Sequence, residues 1–187
     1  INTNILSTCD KWILNKVNEI IIDADKNFEK FEFGEAAKTI YNFIWDDFAS
    51  WYLEMTKVAL SIGTSEEKIN TCAVLNYVLT VCLKLLHPFM PFVTEDIYQA
   101  YNDGSITISK WPTYKKEYNF ENASKFNIIF DIITSTRNIR NQKNVPLSKK
   151  IDLVLQFKDN EYLKFVKENE HYLQKFVNFN DILYTID

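Results

Sequence analysis

Glycine, cysteine, histidine and arginine are all scarce in this chain, and each shortage narrows what it can be. The three glycines, Gly34, Gly63 and Gly104, lie too far apart to form a phosphate-cradling loop or a dinucleotide fingerprint. Cys9, Cys72 and Cys82 are odd in number and lack the close spacing of ligand pairs, which argues against a disulfide scaffold or a zinc site and for a reducing, cytoplasmic setting. His87 and His171 are the only imidazoles, neither stands beside a recognisable nucleophile, and both read as structural. Asp46-Asp47 and Glu95-Asp96 read as helix-surface charges rather than an acid–base pair in a cleft. No apolar run approaches the roughly eighteen residues of a membrane span, since Thr80 and Lys84 interrupt Val78 to Leu86, and no signal peptide opens the chain. Neither an active site nor a membrane partner is expected.

What is present suits a folded body. Of the 187 residues, 47% are apolar and 25% charged, enough to bury a core. Aromatic residues reach 15%, more than a minimal core needs, so some rings are available to a surface. The net charge is −4, which confines any nucleic-acid role to a local basic patch. The opening Ile-Asn-Thr-Asn, without Met, reads as the start of a piece of a longer protein.

Hydrophobic periodicity predicts helices first. Ser7 or Thr8 can cap a helix through Ile13, Val17, Ile20, Ile21, Ala24 and Phe28 to about Phe31. Ala36, Ala37, Ile40, Ile44, Phe48, Trp51, Met55 and Val58 trace a longer one that stops near Gly63. Thr64 and Glu67 form a capping box for a third, whose apolar stripe is Ile69, Cys72, Leu75, Leu79, Cys82 and Leu86 and which should be the buried one. His87-Pro88 ends it, and Pro91 suits the first turn of a short fourth helix reaching Tyr101. Ile106 to Ile108 reads as extended, and Trp111-Pro112 opens a polar connection to Glu121. A helix over about 122–144 carries Ile129, Ile132, Thr136 and Ile139 on one side. Ile151 to Phe157 alternates as a half-buried strand, 159–177 reads as one amphipathic helix, and Ile182 to Ile186 as a second strand. The fold class is mainly α: an antiparallel helix bundle over 1–112, then a connection and a small α/β unit over 113–187.

Lys125, Arg137, Arg140, Lys143, Lys149 and Lys150 face only one acid, Asp131, between residues 125 and 150. Arg137, Arg140, Asn141 and Asn144 follow helical spacing and form a polar, basic stripe. Guanidinium and amide groups so placed are what phosphate, sugar and base-edge contacts on RNA require, and a solvated helix with ordinary salt bridges has the same composition. Trp45, Trp51 and Tyr52 likewise admit packing or, for a ring exposed beside Lys57, stacking on a single-stranded base.

Several segments resemble the anticodon-binding region of the valyl-tRNA synthetase family, in that family's order. These are Asp10-Lys-Trp-Ile-Leu-Asn-Lys-Val-Asn18, Phe31-Glu-Phe-Gly-Glu-Ala-Ala37, Phe43-Ile-Trp-Asp-Asp-Phe-Ala-Ser-Trp-Tyr-Leu-Glu54, Leu86-His-Pro-Phe-Met-Pro-Phe-Val-Thr-Glu95, Ile106 to Pro112 and Ile139-Arg-Asn-Gln-Lys-Asn-Val-Pro146. Leu-His-Pro segments also occur in the isoleucyl, leucyl and methionyl relatives, whereas Trp45 to Glu54 with Arg137 to Pro146 points to valine. The resemblance implies a class I synthetase bundle followed by a small α/β part that contacts the tRNA stem. It implies a partner, the anticodon arm of a valine tRNA, with no DNA, and a monomeric parent enzyme. It also implies a further helix before residue 1 and, in bacterial members, a coiled-coil arm after Asp187. His-Ile-Gly-His-like and Lys-Met-Ser-Lys-Ser-like segments are absent from the chain, so ATP and magnesium belong to a catalytic part elsewhere and none is expected here. Carried over residue by residue, Arg137, Arg140, Asn141, Lys143 and Asn144 are expected at the tRNA backbone or anticodon loop. Trp51, Tyr52 and Lys57 are expected at bases, and Trp12, Asn15 and Lys16 as further contacts. A protein-docking helical module without RNA, or the equivalent domain of an isoleucyl or leucyl enzyme, are the alternative readings.

Overall fold

A computed structural model describes residues 1–186, which divide into two compact units, one over 1–121 and one from 122 on. The first is a helix bundle. Helix α1 (Thr8–Glu29) starts at a reciprocal cap in which Ser7 Oγ accepts from the Asp10 amide and the Asp10 carboxylate accepts from the Ser7 amide. Its core face is Ile13, Leu14, Val17, Ile20, Ile21 and Ala24. The helix ends with Phe31 in the left-handed region (φ 60°), where the Glu32 amide reaches the Asn27 carbonyl and the Phe31 amide the Phe28 carbonyl. Asparagine fills the other non-glycine left-handed positions, 122, 144 and 178. An aromatic residue there costs about 1–2 kcal/mol.

The long second helix is continuous from Phe33 to Ile62 but changes pitch. Helix α2 (Phe33–Asn42) passes into a π-helical segment, Phe43–Tyr52, and returns to α geometry in α3 (Leu53–Ile62). The wider π turn moves the inward stripe onto Ile40, Phe43, Phe48, Tyr52 and Met55. Ile44 and Trp51, expected inward from uniform helical spacing, are half-buried, and Trp45 faces solvent. Gly63 closes the helix because any larger residue would set its Cβ 2.7 Å from the Ala59 carbonyl oxygen.

Helix α4 (Ser65–Leu86) starts at the expected Thr64–Glu67 capping box. Its buried residues are Asn70, Thr71, Val74, Val78, Val81, Cys82, Leu83 and Leu85; Cys82 is inward as expected, but the first half of the stripe is rotated and leaves Ile69 and Cys72 exposed. The rotation follows from two polar side chains with inward partners: Asn70 pairs with the backbone of Asn2, and Thr71 donates to Asp10. By length and composition α4 is long and apolar enough to cross a membrane, which corrects the expectation that no segment is. Here it packs against α1 and α3 as the core helix of the bundle. Hydrogen bonds from the Thr64 amide and hydroxyl hold the Glu67 carboxyl below its ordinary value of 4.5. The stability this cap confers is therefore complete above the unfolded-state pKa and lost as pH falls through the lowered folded one. Glu67→Ala should shrink the drop in urea midpoint between pH 7 and pH 3, and an unchanged drop would remove the cap as its cause.

Helix α5 (Pro91–Gln99) follows His87-Pro88, and His87 Nδ1 lies 2.7 Å from the Thr94 hydroxyl, a structural role as expected. Ile106–Ile108 is a 3-10 turn rather than extended, packed with Leu83 and Tyr98 and fastened by the Glu95 carboxylate, which accepts from Ser105 and the Ile106 amide. The division between units falls after Glu121 rather than after Pro112. The reason is local. Asn18 pairs through both amide atoms with the Lys115 backbone (2.8 and 3.0 Å), and Asn15 does the same with Phe120 (3.1 and 2.7 Å), fastening the connection to α1.

The second unit is the small α/β part. A 3-10 turn (Ala123–Phe126) leads into α6 (Asn127–Gln142), followed by β1 (Ile151–Phe157), α7 (Asn160–Glu168), α8 (Glu170–Val177) and β2 (Phe179–Ile186). The two strands pair in parallel, with Leu153 opposite Ile182 and Phe157 opposite Ile186. The one helix expected over 159–177 is two, separated at the buried Asn169, whose side-chain amide donates to the Phe165 carbonyl. Phe126 meets Phe130 and Tyr172 edge-on at 5.2 and 5.3 Å, and α6 packs against α8 around them.

Candidate nucleic-acid interface

In α6 the inward positions are Ile129, Ile133, Thr136 and Arg140, so the expected basic stripe divides between two faces. Arg140 is 3% exposed. Its Nη1 donates to the carbonyls of Pro146 (2.9 Å) and Lys149 (2.8 Å), and its Nη2 to those of Val177 (2.8 Å) and Asn178 (3.1 Å). Arg140 is thus corrected from an RNA contact to the clasp that holds the loop after α6 to the end of α8. Asn178 reinforces the same loop by donating to Leu147 and Ser148.

Arg137, Asn141, Lys143 and Asn144 remain exposed. Arg137 carries its guanidinium 6.0 Å from the Phe176 ring, which steadies the side chain without neutralising it. Asn144 ends the helix in the left-handed region (φ 53°), with the Val145 amide returning to the Arg140 carbonyl at 2.8 Å. Lys149 and Lys150 follow on the exposed loop, while Lys125 is ion-paired with Glu161. The exposed cations of the expected stretch are therefore Arg137, Lys143, Lys149 and Lys150, with Asn141 and Asn144 among them in sequence.

The first unit places its expected contacts differently. Trp12 is 2% exposed and belongs to the core, so it is corrected from a contact to a packing residue. Tyr52 is likewise enclosed, and its hydroxyl donates to Asp10 Oδ1 at 2.6 Å, so no base can reach its ring. Asn15 is committed to the Phe120 backbone. Lys16 pairs with Glu19 at 3.3 Å and, with Lys38, lines a cavity of about 410 Å³ whose acids, Glu19, Asp23, Glu35 and Asp47, outnumber the two lysines. Burial raises the Asp47 carboxyl, with Lys16 opposing and Asp46 and Glu19 adding to the rise. So acidic a wall does not suit phosphate. Lys57 is exposed and paired with Glu54 at 2.5 Å, and Trp51 is half-buried beside the π segment.

The expected contacts leave out an exposed aromatic pair in this helix. Tyr41 (59% exposed) and Trp45 (60%) lie one turn apart with ring planes 4° from parallel and centroids 6.3 Å apart. Trp45 follows Tyr41 by four residues on the face away from Ile40, and Ser50 Oγ donates to the Trp45 carbonyl at 2.7 Å. Two parallel, solvated rings are a platform on which a planar base stacks.

A family described as the anticodon-binding domain of tRNA ligase matches residues 10–155. Proteins named valine–tRNA ligase are similar over nearly the whole chain. The one from Bacillus thuringiensis subsp. konkukian is 42% identical over 184 residues, 97% of this chain and 21% of that protein. The Bacillus licheniformis protein is 43% identical over 92% of this chain and 20% of its own length, and a Streptococcus agalactiae protein 41% over 95% and 20%. The chain thus spans about a fifth of the length of the curated relatives it matches.

Proposed function

Because the chain belongs to the family of anticodon-binding domains of tRNA ligases, we propose that it grips the anticodon arm of a valine tRNA as part of a cytoplasmic valine–tRNA ligase. The observation that carries this reading is the family match over residues 10–155, which takes in both the Tyr41–Trp45 platform and the α6 surface. In that ligase a catalytic part outside this chain would attach valine using ATP with magnesium. The present residues contribute recognition. Arg137, Lys143, Lys149 and Lys150 supply cationic donors for phosphates, and Asn141 and Asn144 supply amides for sugar or base edges. Tyr41 and Trp45 supply a ring face for an unstacked base, in place of Trp51 and Tyr52. Binding energy gathered this far from the reaction raises specificity by placing the acceptor end.

The test is the affinity of the chain for valine tRNA and for the same tRNA with its anticodon replaced, each at two salt concentrations. Tighter, salt-sensitive binding of the native anticodon is expected. Arg137→Ala should weaken both tRNAs alike and lower the salt slope by about 0.7–0.9, as loss of one phosphate contact does. Trp45→Ala should cost about 1–3 kcal/mol if a base stacks there. Preference for an isoleucine or leucine anticodon would reassign the ligase, and binding insensitive to salt would end the RNA reading.

A further inference from the structure

From Pro146 to Lys150, the loop between α6 and β1 exposes every side chain and yet has a fixed backbone. Four successive carbonyls are taken by two side chains. Those of Pro146 and Lys149 accept from Arg140 Nη1 (2.9 and 2.8 Å), and those of Leu147 and Ser148 from the Asn178 amide (3.0 and 3.1 Å). The Lys149 amide returns to the Pro146 carbonyl at 3.1 Å and closes a turn. The peptides here are trans, and a trans peptide points its N–H opposite to its carbonyl. With the carbonyls turned to the clasp, the amides of Leu147, Ser148 and Lys150 face away from it, on a stretch that also carries the Lys149 and Lys150 ammonium groups. No acid interrupts the sequence between Asp131 and Asp152.

The clasp itself is short of negative charge. Arg140 is 3% exposed and gives its Nη hydrogen bonds to carbonyls. Among the described residues no carboxylate pairs with it, and its Nε has no hydrogen-bond partner. Carbonyl dipoles satisfy N–H groups but leave a full positive charge buried, which is costly without a counter-ion. An anion on the outer side of the loop supplies one where amide donors already point, as successive backbone N–H groups do in other anion sites. A loop whose lysines were merely solvated would need neither a buried cation nor a fixed backbone.

Resting on the anticodon-arm reading above, we propose that loop 146–150 is a preformed site for a phosphodiester of the tRNA backbone, and that Arg140 and Asn178 are its positioning residues. Arg140 acts through the carbonyls it holds and through its charge, without touching RNA. Asn178, in the left-handed region at the end of α8 (φ 54°), ties down the middle of the turn. Holding the loop in its bound shape before RNA arrives removes an ordering cost from binding.

Arg140→Ala destabilises the whole unit, so the test uses Asn178→Gly, which keeps the left-handed backbone and deletes the two bonds to the loop. Binding of valine tRNA to this chain is measured over a salt series, with native circular dichroism checked for each variant. The affinity of Asn178→Gly should fall about five- to tenfold, with the slope of log affinity against log salt unchanged, because the same phosphate contacts form once the loop is ordered. Replacing Lys149 and Lys150 together by Ala should instead lower that slope by at least about 0.7. On that background, where the loop has lost its grip, Asn178→Gly should change affinity less than about twofold. Wild-type affinity for Asn178→Gly would overturn the proposal and leave the anticodon-arm reading standing. So would an equal loss on both backgrounds, which would make Asn178 a purely structural residue. Absence of salt-sensitive tRNA binding by the unmodified chain would end the anticodon-arm reading, and this one with it.

Discussion

Arg140→Ala should strongly destabilise the second unit while leaving the first intact. The substitution removes both Nη groups and leaves four backbone carbonyls, those of Pro146, Lys149, Val177 and Asn178, without their charged donor. Hydrogen bonds from a charged group contribute about 1.5–3 kcal/mol each, and losing a shared hub is not additive, so a net loss of about 3–5 kcal/mol is expected. A unit as small as 122–187 has a total stability of only about 3–10 kcal/mol. Arg140→Lys should rescue little, because a single ammonium cannot serve four acceptors arranged for a planar fork. The tryptophans Trp12, Trp45, Trp51 and Trp111 all lie in the first unit. Urea unfolding of the variant should therefore show an early loss of helical circular dichroism with tryptophan fluorescence still native. Coincident transitions, or a wild-type midpoint, would mean that the clasp is not what holds this unit.

The same residue shows where reading the sequence stops. Helix limits were legible wherever a residue acts on its own backbone: Ser7 and Thr64 as caps, Gly63 and His87-Pro88 as stops, and the alternation of Ile151 to Phe157 as a strand. The two-part, mainly helical architecture followed from these signals together with the resemblance. Facing was less legible, because apolar periodicity assigns every polar residue to the outside. Asp10, Asn18, Asn70, Thr71 and Arg140 all point inward, each held by a partner distant in sequence. A signal for Arg140 did exist, since Ile129, Ile133, Thr136 and Arg140 follow i, i+4, i+7 and i+11. An arginine on an otherwise inward stripe reads as a buried clasp once the stripe is drawn from Ile133 instead of Ile132.

Facing also decides the aromatic part of the candidate site. A constant 3.6-residue repeat cannot foresee ten residues of π geometry, and that segment exchanges Trp51 for Tyr52 at the core. Tyr52 has a reason to be inside: its hydroxyl completes the coordination of a buried carboxylate at the start of α1. The pitch change and the Asp10 hub are thus linked features of one bundle, and neither is visible in composition.

Asp10→Ala should be the most damaging single change in the first unit. The carboxylate is 2% exposed and accepts from the Ser7 amide and hydroxyl (3.2 and 2.8 Å), the Tyr52 hydroxyl (2.6 Å) and the Thr71 hydroxyl (3.3 Å), while its negative charge sits at the positive end of α1. Its removal withdraws the acceptor from three hydroxyls and leaves a small cavity, for an expected loss of about 3–4 kcal/mol in urea unfolding followed by tryptophan fluorescence. Tyr52→Phe should cost less, about 1–2 kcal/mol, because the ring still fills its place. The pair of variants also separates the two roles available to Tyr52. As a core residue, Tyr52→Phe lowers stability and leaves the affinity for tRNA unchanged under conditions where the bundle is folded. As a base contact it would do the reverse, and a loss of affinity without loss of stability would return Tyr52 to the interface. The Asp10–Tyr52 coupling adds a second check: with Asp10 already replaced by Ala, Tyr52→Phe should no longer lower the unfolding midpoint and should recover part of the loss, since it removes a buried hydroxyl whose Asp10 acceptor is gone.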